Sequence, residues 1–460
     1  MTLQEYVDSL QNRRIGVIGI GVSNTPLIEL LCANGCDVTA RDARSAEKLE
    51  GEAERLAALG AKLRLGKDYL EDLEEDILFR TPGLMPFEPH LAAARERGSL
   101  VTSEMEVFFS LCPCPIIAVT GSDGKTTTTT IIARLLEAAG YRVHLGGNIG
   151  HPLLCEVPDI RPDDIAVLEL SSFQLHSMTG RPHVAVITNI SPNHLDKHLD
   201  YQDYIDAKRS IFLHQTAEDR LILKLDDGQT PYYAASAPSQ LSYFSLNGEA
   251  GRGCFCRDGW LCRVDGGETE RILPREEILL PGEHNVLNYL AAFEATRGLV
   301  DAGVCREVAR TFRGVEHRLE RVRELRGVTY INDSIGSSPT RTIAGLHALK
   351  SKPILIAGGY DKHIPFDELG TELCLHAKRV FLTGATAEKI RDAILASPAY
   401  ARSPVPFTMI PDFDEAVHAA AEAAGNGDIV LLSPACASFD RFKNFAERGE
   451  HFKKLIMELQ

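Results

Sequence analysis

The chain has 460 residues, 44% hydrophobic and 25% charged, with a formal net charge of −15. That length implies two to three domains with real cores, and the acidic balance argues against a broad nucleic-acid or polyanion-binding face. No run reaches the ~18 apolar residues of a membrane span, the polar start MTLQEYVDSLQNRR lacks a signal-peptide core, and eleven scattered cysteines read as reduced thiols of a cytoplasmic enzyme.

A first part runs over residues 1–104. In RRIGVIGIGVSNTP, Ile15 to Ile20 reads as a strand, Gly19 and Gly21 as the turn after it, and Ser23 or Asn24 as the cap of the next helix. Asp37 to Ala40 gives a second strand that ends at Arg41-Asp42, and ILFRTPG (77–83) a further one ending in a turn. This is a Rossmann-like opening. The third glycine of the dinucleotide fingerprint is missing, so no nicotinamide cofactor is assigned; the same geometry serves another pyrophosphate.

A second part covers 105–314. Its stretch IIAVTGSDGKT (116–126) runs from an apolar strand through a turn with Gly121 and Gly124 into the helix-forming TTTTIIARLLEAAG. Strand, glycine turn and helix N-terminus together make a phosphate site: backbone N–H groups and the helix dipole face the anion. The spacing is the short G-x-x-G-K-T, with Val119 where the longer loop has its first glycine. Lys125 would sit on the β/γ-phosphates and the Thr126 hydroxyl on Mg²⁺. Strands IAVLEL (165–170) and VAVITNI (184–190) follow, then a helix between Gln202 and Phe212 carrying Lys208. Alternating β and α segments predict a mostly parallel sheet. Glu169 and His194 come just after strands and Asn148 sits in GGNIG. A carboxylate, a hydroxyl and an imidazole suit Mg²⁺ beside a nucleotide, although Glu169 alone would pass for a helix-start acid and His194 for a turn histidine. Short β segments fill 219–273, where Cys254, Cys256 and Cys262 match no zinc ribbon. Residues 282–296 read as a turn and an Ala-rich helix.

A third part covers 315–460. It has strands PILIAGGYDK (353–362), RVFLTG (379–384) and DIVLLSP (428–434), and a closing helix-like stretch from Phe439. The pattern is again doubly wound α/β.

The ordered strings TGSDGKTTT, GGNIG, LELSSFQL, NISPNHLD, DAKRSIF, GEHNVLN and EHRLE resemble the signature of the Mur ligases, ATP-dependent amide-forming enzymes of cell-wall precursor synthesis. The resemblance covers nearly the whole chain. It implies three α/β domains: a Rossmann-like N-terminal domain for a UDP-substrate, a central P-loop ATPase-like domain, and a C-terminal Rossmann-like domain for an amino acid. The C-terminal LLSPACASFDRFKNFAERGEHF resembles the members that add D-glutamate to UDP-N-acetylmuramoyl-L-alanine. By the same resemblance, Gly121, Ser122, Asp123, Gly124, Lys125, Thr126 and Thr127 would hold the ATP phosphates. Asn285 and Asn288 would lie toward adenine, and His317, Arg318 and Asp333 toward the ribose and phosphates. Thr126, Glu169, His194 and Lys208 would serve Mg²⁺, with Lys208 carbamylated; Lys125, His194 and Lys208 would be catalytic. Ser23, Asn24, Asp42, Arg44, Thr81 and Gly83 would receive the UDP group, and Asn148, Ser171 and Gln174 the muramoyl-alanine arm. Lys362, Ser438, Phe439 and Phe445 would bind the amino acid. The enzyme would act as a monomer on small molecules, with no nucleic acid or membrane partner.

Two positions depart from the pattern. Ile335 follows Asp333-Ser334 where some members carry Lys, and Ala43 follows Asp42 in place of a hydroxyl residue. Read from residues alone, Lys208 is a solvated helix lysine. A folylpolyglutamate synthetase, a dehydrogenase built on Gly19-Ile20-Gly21, and a non-enzymatic nucleotide switch are the competing readings. The first does not need the Rossmann-like opening, and the second leaves Glu169 and His194 unexplained.

Overall fold

The computed structural model describes residues 1–460 except Glu50, Leu195, Asp196, Pro281, Lys362 and His363. The described residues form two compact units, Met1–Phe312 and Arg313–Gln460. Two sheets lie in the first unit and one in the second.

The first sheet contains β1 (Arg14–Ile18), β2 (Asp37–Asp42), β3 (Lys62–Leu65), β4 (Ile77–Arg80) and β5 (Leu100–Thr102), in the order 3-2-1-4-5 with every pair parallel. The direction of winding reverses between β1 and β4, which places a ligand crevice at the carboxyl ends of these strands. β1 stops at Ile18 rather than Ile20, because Gly19 turns at φ +93° and donates its N–H to Arg41 O. β2 runs on to Asp42, paired with Leu65. Neither expected residue caps the helix Thr25–Ala33 with its side chain. Asn24 is the N-cap, but its amide turns inward to Ile18 O and Gly19 O at 3.0 and 3.2 Å.

The second sheet holds β6 (Ile116–Thr120), β7 (Val143–Gly147), β8 (Ile165–Glu169), β9 (Val184–Ile187), β10 (Arg220–Lys224), β11 (Gln240–Ser245), β12 (Arg252–Arg257), β13 (Trp260–Asp265) and β14 (Glu268–Pro274). The order is 14-13-12-11-10-9-6-8-7. Strands from β7 to β12 across the sheet pair in parallel, and β12-β13-β14 form an antiparallel meander. The central strands β6, β8 and β9 are buried at every position, the continuous apolar run expected of a parallel strand covered on both faces. One apolar cluster runs from Ile15, Val17 and Val38 of the first sheet through Met105 and Phe108 to Ala118 and Leu168 of the second. That shared core makes the two sheets one unit.

The third sheet contains β15 (Glu320–Leu325), β16 (Val328–Asn332), β17 (Ile354–Ala357), β18 (Arg379–Leu382), β19 (Phe407–Met409) and β20 (Ile429–Leu432), in the order 15-16-20-17-18-19. Only the β15–β16 hairpin is antiparallel. The last helix is Phe445–Glu458 and begins six residues after the expected Phe439. Asn444 sets the start: its side chain accepts from Glu447 N–H at 2.9 Å, while Glu447 Oε2 takes the Lys443 N–H at 2.7 Å. All eleven cysteines are free thiols.

Candidate active site

β6 delivers the chain into a tight loop whose two glycines are required by space. A Cβ on Gly121 (φ +144°) would lie 1.9 Å from Thr188 Oγ1, and one on Gly124 (φ +78°) 2.4 Å from Asn288 Oδ1. The loop is pinned from β9's end: Ser122 N–H donates to Asn189 O at 2.8 Å, Asp123 N–H to Asn189 Oδ1 at 3.1 Å, and Thr188 Oγ1 to Asp123 O at 2.6 Å. The helix Lys125–Ala138 then starts with no side-chain cap, so its first N–H groups are left for an anion. Lys125 Nζ folds onto Gly121 O and Ser122 O at 3.0 and 2.9 Å. Further along, the Thr129 and Thr130 hydroxyls bond carbonyls one turn back, whereas those of Thr126 and Thr127 bond no other group among the described residues. Asn288 is buried beneath Gly124, accepting from Thr128 Oγ1 and donating to Asn285 Oδ1, both at 3.2 Å.

Lys208 is not solvated. It is 1% exposed, with Nζ donating to Gly121 O at 2.9 Å and Thr120 Oγ1 at 3.3 Å and lying 4.6 Å from the Tyr204 ring centroid. Burial drives its pKa well below the ordinary lysine value. The Lys125 charge adds to this, and the Glu169 and Asp123 carboxylates oppose it. Tyr204 in turn shares a 2.9 Å hydrogen bond with Ser122 Oγ, so the helix Tyr201–Leu213 backs the loop at two points.

Glu169 ends β8 at 1% exposure. Asn148 Nδ2 donates to its Oε1 at 2.7 Å; its Oε2 is buried with no hydrogen-bond partner among the described residues. Ser171 and Gln174 are spent largely on each other, as the reciprocal capping box of the short helix Ser172–Leu175. His194 is exposed, at φ +55°, with its ring 5.0 Å from Phe173. Beside it lies a group the sequence reading did not single out. Buried His198 places Nδ1 2.7 Å from Asp203 Oδ2 and Nε2 2.9 Å from Ser172 Oγ, and His176 Nε2 is 2.8 Å from Asp203 Oδ1. Burial lowers the pKa of His198, against the pull of Asp203. A signal was present in the string: Asp203 stands in the first turn of a helix just after two histidines.

At the crevice of the first sheet, Asp42 Oδ2 accepts from Ile20 N–H at 2.8 Å, and its Oδ1 from Arg44 N–H and Nε at 2.8 and 2.9 Å. Burial pushes the Asp42 carboxyl up, but Arg44 and these N–H groups outweigh it and hold it below the usual range. Thr81 closes on Gly19, where a Cβ would come within 2.8 Å of the Thr81 Cβ. Asn24, Asp42, Arg44 and Thr81 thus stand at the carboxyl ends of β1, β2 and β4. Half-buried Ser23 and exposed Gly83 occupy the same loops.

In the second unit, Asp333 follows β16 and is 4% exposed; Ser433 Oγ donates to it at 2.7 Å and Leu319 N–H at 3.2 Å. Burial raises its pKa to about 6. His317 is buried with φ +62°, its Nδ1 2.9 Å from Asn332 Nδ2 and its ring edge-on to Phe445. Arg318 is exposed. Sequence reasoning missed Arg448, 2% exposed, which ties two loops together: it donates to Ser334 Oγ and O and to the carbonyls of Cys436 and Ala437, all at 2.9–3.1 Å. Burial brings its pKa down to about 10. Ser438, at 2% exposure, follows directly, and Phe439 stands out at 59% exposure, edge-on to Tyr360. Lys362 lies outside the described residues.

Mostly parallel sheets, one of them with a glycine loop on a central strand, define a phosphate-loop α/β protein. Residues 119–296 match the family model of the Mur ligase middle domain, and 317–436 that of the Mur ligase glutamate ligase domain. The chain is 49% identical to the UDP-N-acetylmuramoylalanine–D-glutamate ligase of Acetivibrio thermocellus, over 100% of this chain and 99% of that one. It is 46% identical to the same-named ligase of Clostridium kluyveri over 99% of each. The fold is similar to that of UDP-N-acetylmuramate-alanine ligase from Thermotoga maritima, with a TM-score of 0.56 at 17% identity over 97% of this chain and 99% of that one. The chain belongs to the Mur ligase family, whose members are ATP-dependent ligases.

Proposed function

We propose that this protein joins D-glutamate to UDP-N-acetylmuramoyl-L-alanine in peptidoglycan precursor synthesis. The L-alanine carboxylate takes the γ-phosphoryl group of ATP, and the D-glutamate amine displaces phosphate from the acyl phosphate. Activation is needed because a carboxylate oxygen is a poor leaving group at neutral pH. One observation carries the reading: a chain matched end to end by D-glutamate ligases brings Lys208 against the loop Gly121–Thr126, with the Glu169 carboxylate near enough to bear on the lysine's charge.

In this reading residues 1–104 receive the UDP group, 105–314 the ATP and 315–460 the amino acid. Lys125 swings from the Gly121 and Ser122 carbonyls onto the phosphates, and the uncapped helix N-terminus takes the remaining charge. Thr126, Glu169 and His194 would hold Mg²⁺; the orphaned Glu169 Oε2 and the unengaged Thr126 hydroxyl suit it. When bound, the ion offsets phosphate charge. Lys208, held dry with its ammonium form disfavoured, is the candidate for carbamylation, in which its amine adds CO₂ and loses a proton. Asn148 and Gln174 face the donor arm; Lys362, Ser438, Phe439 and Phe445 serve the acceptor. No helix among the described residues is long and apolar enough to cross a membrane, and the enzyme is assigned as a cytoplasmic monomer.

Donor labelled with ¹⁸O in the alanine carboxylate tests the route. Amide product with one ¹⁸O in the released phosphate is expected. Product with unlabelled phosphate overturns the acyl phosphate, and no amide product overturns the ligase reading.

A further inference from the structure

On the surface of the second unit, three side chains that play no part in the ligase reading converge on one point. His347 stands in the last turn of the helix Pro339–Ala348. Glu372 and His376 lie one turn apart on the helix Asp367–His376, which His376 ends. His347 Nε2 is 2.6 Å from Glu372 Oε2, and His376 Nε2 is 3.3 Å from the same oxygen. The two imidazoles meet edge to face with centroids 4.6 Å apart.

We propose that His347, Glu372 and His376 bind a divalent cation of the Zn²⁺ type, linking the helix 339–348 to the helix 367–376. Two imidazole nitrogens and one carboxylate oxygen are the donors that such an ion prefers, whereas Mg²⁺ and Ca²⁺ prefer all-oxygen shells. The i, i+4 spacing puts Glu372 and His376 on one helix face. The two carboxylate–imidazole distances are close to what such an ion needs, and the three donor atoms all lie within 4.8 Å of one another. Ligands ~2.0 Å from a tetrahedral ion stand about 3.3 Å apart. The Glu372–His376 pair already has that spacing, and His347 needs to withdraw by less than an ångström. Its side chain is 50% exposed and that of His376 44%, so both have room to turn. Both histidines also occupy helix C-terminal turns, where the unpaired carbonyls favour a cation. Three protein ligands leave a fourth position for water.

Equilibrium dialysis of the full-length protein against Zn²⁺ in excess Mg²⁺ tests this, comparing the wild type with His347→Ala and Glu372→Gln. The cysteines and the phosphate site contribute the same background to all three proteins. The wild type should hold one Zn²⁺ more per chain than either variant, and raising Mg²⁺ tenfold should not displace it. Equal Zn²⁺ stoichiometry in all three, or displacement of the extra ion by Mg²⁺, would overturn the site.

Discussion

The Lys208 ammonium donates to the Gly121 carbonyl at 2.9 Å from a fully buried position. A lysine with a costly charged form is thereby fixed to the backbone of the phosphate loop, and a second lysine, Lys125, contacts the same carbonyl at 3.0 Å. Two cations on one carbonyl repel each other. A phosphate relieves the arrangement by drawing Lys125 outward, and a carbamate on Lys208 relieves it by reversing a charge.

Lys125→Ala should reduce ATP-dependent ligation by at least about a thousandfold, since such residues act mainly on the transition state. Thermal stability should change little, because Lys125 caps a loop and fills no core. Steady-state phosphate release and a melting curve on the same preparation check both halves. Normal turnover in a folded variant would remove Lys125 from the phosphates.

If Lys208 works as a carbamate, Lys208→Ala should be nearly inactive, and short-chain carboxylates should restore part of the rate by occupying the vacated anionic position. Activity titrated against formate or acetate measures this. An alanine variant that turns over at the wild-type rate returns Lys208 to a structural role.

Glu169→Gln keeps the shape and the contact with Asn148 but removes the charge facing the orphaned position. The Mg²⁺ concentration for half-maximal activity should rise about tenfold or more, because a charge-assisted contact is worth roughly 1.5–3 kcal/mol. An unchanged Mg²⁺ dependence would assign the ion elsewhere.

Glu104, at the start of the helix Glu104–Leu111, has its pKa raised by burial from 4.5 to about 7, with only Leu154 N–H donating to it among the described residues. Between those values the folded chain holds a proton that the unfolded chain has lost. The stability this group contributes is therefore complete below pH 4.5 and lost as pH rises through 7. Glu104→Gln does not titrate, so it should gain on the wild type by up to roughly 3 kcal/mol between pH 4.5 and pH 8. Urea midpoints at the two values measure the gain; a constant difference between the proteins would show that Glu104 ionises normally.

Much of this was legible in the string because parallel strands buried on both faces are plain apolar runs. Ile116–Thr120, Ile165–Glu169 and Val184–Ile187 begin where expected, although the last ends at Ile187 rather than Ile190, and the glycine loop follows the first of them. The burial of Lys208 was harder to see, though a clue existed: Tyr204, Ile205, Ala207, Ile211 and Phe212 form the buried face of the same helix, and Lys208 lies among them. Arg448 gave no such clue. Three of its four acceptors are backbone carbonyls, of Ser334, Cys436 and Ala437, and backbone acceptors carry no residue signature; the fourth, Ser334 Oγ, lies 114 residues away. The start of the last helix was misplaced because the run Phe439-Asp440-Arg441-Phe442-Lys443 continues the mixed apolar and charged pattern of the helix, while a single asparagine cap decides the boundary.

The central claim is that ATP is cleaved to join one particular amino acid to one particular carboxylate. Phosphate release, measured with UDP-N-acetylmuramoyl-L-alanine and either D- or L-glutamate, tests it most directly. The account predicts release that requires donor and D-glutamate together, with L-glutamate a poor substrate because inversion at the α-carbon takes its amine or its side-chain carboxylate out of register. Equal rates with both enantiomers, or release indifferent to the amino acid, would contradict it.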